Sequence, residues 1–406
     1  MFDTYTRKEV LTRLFERWSP TARTELCPTD GALGRVVTEN IYSRSRQPVV
    51  RASLMDGIAV RGADFDLPVG AMPETSRFIQ GADYARAGTG GDFDDRFDTI
   101  IAIEDVIFDE AGGFSLAPGL RVLPGMNVEP SGAALMEGDL LIRAGRRLRP
   151  IDIAVCVRGG HTSLPVAARP KVAFIPTGNE LIPPGRLPAR GEVTDVNSAL
   201  TRHMLGQMGA EVILFPIVRD QVSELSDALD DAIRDADIVI INGGSSKCKD
   251  DLNASLLKAR PGVELICHGV AAAPGRPLCV AVIEGKPVIN VPGPMICVYY
   301  VYDWCLREII VAFHGTAPVR RTVVRAKLTS DMTTPENLEF LNRLLLRETP
   351  DGFEATPLSL YRGEDPYIIG AASGQFVNAI GRGLYAAGTE IEVELLCDPA
   401  ELPYFG

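Results

Sequence analysis

The sequence predicts a multidomain protein of mixed α/β and β class, with a central doubly wound α/β domain, mostly β segments before it and a β-barrel-like domain after it. Three observations carry this expectation. Between Lys171 and Phe313, apolar runs of strand length alternate with segments of helical period, the pattern of a mostly parallel sheet with helices on both faces. From about Val36 to Leu164, short apolar runs are instead separated by Gly, Pro and Asp. Beyond His314, strand-like runs with Gly-rich breaks return and helical periodicity is gone. At 406 residues and 46% hydrophobic content, the chain is long and apolar enough for several cores.

In chain order, Thr6-Arg7-Lys8-Glu9 has the form of a capping box, and Val10, Leu11, Leu14, Phe15 and Trp18 share one helical face, so an amphipathic helix opens the chain. The β-rich stretch offers Val49-Val50, Ile58-Ala59-Val60, Thr99-Ile100-Ile101-Ala102-Ile103 and Asp139-Leu140-Leu141-Ile142 as strands, and Asp56-Gly57 as a hairpin turn. Val172-Ala173-Phe174-Ile175 reads as a buried strand. A helix follows through Leu200, Met204, Leu205 and Met208, stopped by Gly209. Glu211 to Val218 is the next strand. Asp220 is placed to cap a helix carrying Leu225, Leu229, Ala232 and Ile233 on one face. Ile238-Val239-Ile240-Ile241 is a further strand, Leu252 to Lys258 a short helix, and Val263 to Cys267 a strand. Leu278 to Val291 forms two strands around Glu284-Gly285, and Met295 to Phe313 forms a long helix. The terminal domain has strands at Arg321–Ser330, Phe353–Leu360, Gln375–Ala379 and Glu390–Leu396. Internal repeats and low-complexity tracts are absent.

The net charge of −12 argues against a phosphate-tracking surface for nucleic acid or anionic membrane, which needs a basic excess. No window reaches the ~20 apolar residues of a bilayer span. The N-terminus, with charges throughout, lacks the pattern of a secretory signal. A cytoplasmic protein is expected. The eight cysteines show no C-x-x-C pair and no zinc-site spacing, so reduced and mostly buried thiols are expected.

Polar and glycine residues follow three of the α/β strands: Pro176-Thr177-Gly178-Asn179-Glu180, Asn242-Gly243-Gly244-Ser245-Ser246-Lys247, and Val291-Pro292-Gly293-Pro294. In an open parallel sheet such strand ends converge on one crevice. Backbone N–H groups of a glycine-rich turn can cradle phosphate, with Ser245, Ser246, Lys247 and Lys249 adding hydroxyls and positive charge; an ordinary turn is the alternative. Asp250 and Asp251 can serve Mg²⁺ or cap the next helix. Arg276, on the rigid Pro274-Gly275-Arg276-Pro277 turn, can grip an oxyanion in two-point fashion or face solvent.

In their joint order these stretches resemble the molybdopterin molybdenumtransferase (molybdenum insertase) family, which includes the gephyrin E domain. Met55-Asp56-Gly57-Ile58-Ala59 is similar to its Met-Asp-Gly-Tyr-Ala motif, and Gly88-Thr89-Gly90 through Ile103-Glu104-Asp105 to its Thr-Gly-rich stretch. Pro176-Thr177-Gly178-Asn179-Glu180-Leu181 is similar to Pro-Thr-Gly-Asp-Glu-Leu, and Asp195-Val196-Asn197 to Asp-x-Asn. Arg219-Asp220, Gly243-Gly244 with Ser246 and Asp251, Pro274-Gly275-Arg276-Pro277 and Pro292-Gly293 follow in family order over nearly the whole chain.

The resemblance implies an elongated homodimer with four domains per chain: residues 1–45 plus 141–168 as a linking domain, 46–140 as the β-rich domain, 169–315 as the α/β domain of molybdopterin-binding type, and 316–406 as the C-terminal β domain. It implies a site between the α/β domain of one subunit and the Met-Asp-Gly domain of the other. The substrates would be adenylated molybdopterin and molybdate, with tungsten as the alternative metal, and Mg²⁺ would assist release of AMP. On this reading Asp56, Glu180, Asp220 and Asp251 are catalytic, with Asp220 and Asp251 holding the metal ion. Thr89, Thr177, Gly178, Gly243, Gly244, Ser245, Ser246, Lys247, Pro274, Arg276, Pro292 and Gly293 would bind the ligand, while Asp195 and Asn197 shape the loop and cap the helix or touch substrate. Molybdoenzymes or other cofactor-pathway proteins would be partners.

The sequence also departs from the family. Ala133 and Ala134 stand where an acidic pair is usual, Cys248 replaces a glycine, Arg276 a lysine and Asn179 an aspartate, and Pro294 follows Pro292-Gly293. These changes keep two alternatives open: a paralogue that binds or carries the pterin without inserting metal, and a phosphohydrolase acting on a related nucleotide.

Overall fold

The computed structural model describes residues 3–67, 73–110, 112–244, 252–317, 320–358, 370–398, 400 and 402. The chain divides into two compact units, residues 24–166 and a second unit made of residues 1–23 with 167–406.

Within the first unit, Gly57–Val60 is the middle strand of a three-stranded antiparallel sheet, flanked by Tyr84–Ala87 and Thr99–Ala102. All four of its residues are buried, and Ile58, Val60, Tyr84, Ile101 and Phe114 form the local core. Asp56-Gly57 is not a hairpin turn. Residues 54–56 form a bend between Ala52–Ser53, which pairs with Val128–Glu129, and the start of the Gly57–Val60 strand in a different sheet. Gly57 is needed for close approach, since a Cβ there would lie 2.1 Å from the Ile101 carbonyl oxygen. Val49-Val50 is not a strand either; it forms an exposed bend after Pro48, which has no N–H to donate to a ladder. A second core gathers Val37, Ile41, Ile142, Leu148, Leu164 and Val166 beside the helix Pro150–Arg158. At that helix start the Arg149 guanidinium and N–H, with the Arg146 guanidinium, donate to Asp152. They hold its carboxyl at about 2.

In the second unit, the α/β sheet has six strands in the order Glu211–Leu214, Lys171–Pro176, Ile238–Asn242, Lys286–Val291, Cys279–Ile283, Glu264–His268. The first four run parallel; Cys279–Ile283 is antiparallel to both its neighbours, so Glu264–His268 again has the direction of the first four. Alternate residues of each central strand serve opposite faces. Phe174, Ile240 and Ile289 share one core with Val10 and Leu14 of the N-terminal helix Arg7–Arg17, with Trp18 at its C-cap, and with Val298, Ile309 and Ile310 of the long helix that starts at Met295 and ends at His314. Ala173, Ile175, Val239 and Ile241 pack with Leu225, Leu229 and Ile233 of Val222–Asp235 and with Leu257 of Leu252–Ala259. Both faces are therefore covered, as a parallel sheet requires. The expected capping box at Thr6 and Glu9 is present. Glu284 and Gly285 both take positive φ, the geometry of a two-residue hairpin turn. The predicted long helix is continuous but contains one π-helical stretch, Tyr302–Leu306, between Met295–Val301 and Arg307–His314.

Two expectations change here. The strand predicted through Val218 ends at Leu214, leaving Val218 as an isolated bridge to Thr177. Asp220 does not cap Val222–Asp235; Gln221 occupies the N-cap and makes no side-chain capping bond.

The C-terminal region closes into a five-stranded barrel. Its strands follow the order Glu339–Thr349, Gly352–Leu358, Val323–Leu328, Glu390–Leu395, Gly374–Val377, and the last pairs back to the first. Glu339–Thr349 is its longest strand and was not among those predicted. The described cysteines are buried, except the half-buried Cys397. Among the described residues no helix is long and apolar enough to cross a membrane.

Two predictions follow for the first unit. Gly57→Ala should cost about 3 kcal/mol or more, against about 1 kcal/mol for Gly119→Ala. Gly119 has φ +83°, but a Cβ there meets nothing within 4 Å, so only backbone strain opposes the change. Urea unfolding of the two variants checks this, and equal costs would contradict it. Because the Asp152 carboxyl is held low, its stabilisation is complete above about pH 4, the ordinary carboxylate value, and is lost as pH falls towards the folded-state value. Asp152→Asn should therefore lower the melting temperature at neutral pH, with the difference from the parent shrinking on acidification. A difference independent of pH would contradict it.

Candidate functional site

The register of three neighbouring parallel strands sets the site. Pro176 lies opposite Asn242, and Asn242 opposite Val291, so all three chains leave the sheet at one level. Thr177 N–H donates to the Asn242 carbonyl at 2.8 Å, and Gly243 N–H to the Val291 carbonyl at 3.1 Å. The ladder thus continues one residue past the strands and brings the turns at Thr177-Gly178, Gly243-Gly244 and Pro292-Gly293 together.

Buried amides lock these turns. Asn242 Nδ2 donates to the carbonyls of Val291 and Pro292 at 3.2 and 3.1 Å. Asn197, the first residue of the helix Asn197–Gln207, reaches down with Nδ2 to Asn242 Oδ1 at 2.8 Å and to the Gly293 carbonyl at 2.7 Å. Asn253 Nδ2 donates to the Gly243 carbonyl at 2.9 Å and to Thr177 Oγ1 at 3.3 Å. Buried polar groups persist when they are bonded in this way, and each bond here fixes a backbone position at the crevice.

The glycines are sterically required at two positions. Gly243 has φ +124°, and a Cβ there would lie 2.3 Å from the Thr177 carbonyl oxygen. Gly244 has φ +62° and would collide with the Asn253 amide. The sheet edge is therefore bare backbone, the surface on which a phosphate or a planar ring can lie closely.

The acidic residues stand on the outer side of this edge. Glu180 is exposed, and its carboxylate lies beside Gly178, within 2.7 Å of where a Cβ would be. Asp220 is exposed and pairs reciprocally with Asn179, accepting from the Asn179 N–H at 3.4 Å while its own N–H donates to Asn179 Oδ1 at 3.3 Å. Asp195 shapes the loop before the helix Asn197–Gln207, its Oδ1 accepting the Ser198 N–H at 3.0 Å and its Oδ2 accepting the Ser198 hydroxyl. Among the described residues, no group of three or more His, Cys, Asp or Glu is arranged to hold a metal ion.

Thr177, Gly178, Gly243, Gly244, Pro292 and Gly293 are therefore together, with Glu180 just after the first of these turns and Asp220 on the separate loop that Asn179 ties to it. Pro274 follows a cis peptide bond, and Gly275 packs against Val301 of the long helix. Arg276 is exposed and makes no ion pair among the described residues. Ser245, Ser246, Lys247 and Asp251 lie outside the described residues. Asp56 and Thr89 belong to the other unit. There Asp56 Oδ1 accepts the N–H of Thr89 at 2.8 Å and its hydroxyl at 3.0 Å, which holds the Asp56 carboxyl below its ordinary value. Ala133 and Ala134 are exposed in that same unit. Asn290 joins this network at 3.2 Å from Asn253 Nδ2; sequence reasoning missed Asn242, Asn253 and Asn290 as parts of it, although Asn242 ends an apolar run and Asn290 interrupts one.

Comparison with known proteins gives a consistent picture. The family described as the MoeA N-terminal region (domain I and II) matches residues 5–160, and the probable molybdopterin binding domain matches residues 173–310. A Staphylococcus epidermidis protein named molybdopterin molybdenumtransferase is 23% identical over 379 residues, 90% of each chain. A Mycobacterium tuberculosis protein named molybdopterin molybdenumtransferase 2 is 26% identical over 79% of this chain and 82% of its own. The solved structure of a molybdopterin biosynthesis MoeA protein from Pyrococcus horikoshii superposes with TM-score 0.76, at 26% identity, over 97% of this chain and 99% of that one.

The locking role of Asn197 is directly testable. Asn197→Ala would leave Asn242 Oδ1 and the Gly293 carbonyl without this donor and should cost about 2–4 kcal/mol of stability in denaturant unfolding. An unchanged midpoint would remove Asn197 from the network.

Proposed function

As a member of the molybdopterin molybdenumtransferase (MoeA) family, to which this chain belongs, the protein is a transferase of molybdenum cofactor biosynthesis, and we propose that it works at the strand-end crevice of its α/β domain. There it takes adenylated molybdopterin and molybdate, transfers the metal to the pterin dithiolene and releases AMP. The observation that supports this most directly is the level ending of three parallel strands in Thr177-Gly178, Gly243-Gly244 and Pro292-Gly293, with the carbonyls of Gly243, Pro292 and Gly293 already tied down by Asn253, Asn242 and Asn197. Such an edge is rigid before the ligand arrives, so little ordering cost falls on binding.

The family implies Mg²⁺. Asp220 is a hard, exposed oxygen donor, which fits an ion taking one or two carboxylates with waters and substrate oxygens. Mg²⁺ there would neutralise charge on the adenylyl phosphates. In this reading Asp220 and Asp251 hold the ion, and Glu180 orients the attacking oxygen. A water oxygen bonds to the adenylyl phosphorus as the bond from that phosphorus to the bridging oxygen breaks, so the pterin keeps its phosphate and AMP leaves. Ser245, Ser246, Lys247 and Arg276 would face the anionic ligand, and Asp56 and Thr89 would serve the reaction as the resemblance implies. The protein would act as a cytoplasmic homodimer, in four parts per chain as the resemblance implies, and pass its product to molybdoenzymes or other proteins of the pathway.

Incubation of the purified protein with adenylated molybdopterin, molybdate and Mg²⁺ should yield AMP and metal-loaded pterin in equal amounts. Asp220→Asn should slow both at least tenfold while leaving the melting temperature unchanged, and Arg276→Ala should weaken pterin binding by about 1.5–3 kcal/mol. Pterin retained without AMP or inserted metal would make the protein a carrier, the outcome to which the exposed Ala133 and Ala134 would point. Turnover of another pyrophosphate without pterin affinity would make it a phosphohydrolase.

A further inference from the structure

Arg343 sits in the middle of the longest barrel strand, Glu339–Thr349, opposite Leu358 on one neighbouring strand and Gln375 on the other. It is 1% exposed and heads the large, fully buried side chains among the described residues. Its guanidinium stacks on the Tyr299 ring at 4.5 Å. Burial pulls its pKa below the ordinary value.

A buried guanidinium is normally paired, because an unpaired buried charge is costly. Among the described residues, both Nε and Nη2 are without a hydrogen-bond partner. The nearby acid is already taken, since Asp303 receives Arg307 at 2.7 Å, Arg321 at 2.6 Å and the Gln375 amide at 2.9 Å. Gln375 Oε1 is also unpartnered, but it is one acceptor and the guanidinium edge offers two donors. Nε and Nη2 lie on the same edge of the plane, the parallel pair that matches two oxygens of one anionic group.

Arg343 also stands in the wall of a cleft of about 550 Å³ at this end of the barrel. Ser330, Thr333 and Asn342 add polar lining, and Met332, Phe340 and Leu358 add apolar walls. Thr334 is spent on the Arg382 carbonyl, and Asp331, the one carboxylate among the described lining residues, accepts the Ala387 N–H.

We propose that Arg343 anchors an anion-binding site in the C-terminal barrel, receiving two oxygens of a carboxylate or phosphate group on Nε and Nη2, with the rest of a small organic ligand in the adjoining cleft. The site belongs to the barrel and stands independently of the function proposed for the strand-end crevice.

The test is thermal unfolding of the full chain titrated with inorganic phosphate or with acetate at constant ionic strength. One of the two anions should raise the melting temperature saturably, because a ligand that binds only the folded state stabilises it. Acetate alone would assign a carboxylate ligand, and phosphate alone a phosphate. Arg343→Met should abolish the Arg343-dependent part of the shift. Arg343→Lys keeps the charge but loses the fork, and should weaken the apparent affinity about tenfold. If the Met variant does not fold, the Lys variant carries the test, and wild-type affinity in it overturns the proposal. Equal shifts in parent and variants, or no saturable shift with either anion, would also overturn it, leaving Gln375 as the partner of the guanidinium.

Discussion

The level register of three parallel strands is the constraint on which the rest of the α/β unit depends. Because Pro176, Asn242 and Val291 lie side by side, the polypeptide leaves the sheet three times at the same height. Parallel pairing places the C-terminal ends of these strands on one edge, and βα connections carry each chain away over a face of the sheet. The crevice follows from that topology. No single residue creates it, and a one-residue slip would both misalign the turns and turn Phe174 and Ile240 away from the helices that bury them.

Backbone at a sheet edge is an unfinished ladder, and this chain completes it with amides. Asn242 closes the step to Val291 and Pro292, Asn197 bridges from the following helix to Gly293, and Asn253 returns from the next helix to Gly243. Each bond is made in a buried setting, where a hydrogen bond is strong and a missing one is costly. The two glycines are part of the same solution, because the space a Cβ would need at Gly243 and Gly244 is occupied by Thr177 and Asn253. Packing, bonding and the bare surface offered to a ligand are thus set by the same few residues. The acidic side chains Glu180 and Asp220, by contrast, are exposed and lightly tied, so a ligand or an ion can reposition them at small cost.

Much of the α/β unit was legible because strands buried on both faces leave unbroken apolar runs, and because Gly243-Gly244 and Pro292-Gly293 interrupt those runs where the chain turns. The strand Glu339–Thr349 was hidden by its composition. Consecutive Leu344, Leu345 and Leu346 break the alternation of a half-buried strand, and Asn342 and Arg343 are polar residues in a buried stretch. Asp220 read as a helix cap because aspartate is common there, but its local partner is Asn179, forty-one positions earlier in the chain. The amide network was invisible for the same reason: Asn197, Asn253 and Asn290 acquire their role only when the fold brings distant segments to Asn242 and Gly243. The candidate ligand turns could be read from their glycines, whereas the residues that hold those turns could not.

The central claim is that the ligand lies across the three strand ends. Hydrogen–deuterium exchange of the full chain, with and without adenylated molybdopterin, tests it most directly. The account predicts that the ligand slows exchange in peptides covering residues 177–180, 243–244 and 292–293 together, with the interior of the strands, already protected, unchanged. Protection confined to the barrel or to residues 24–166, with these three turns unaffected, would contradict it.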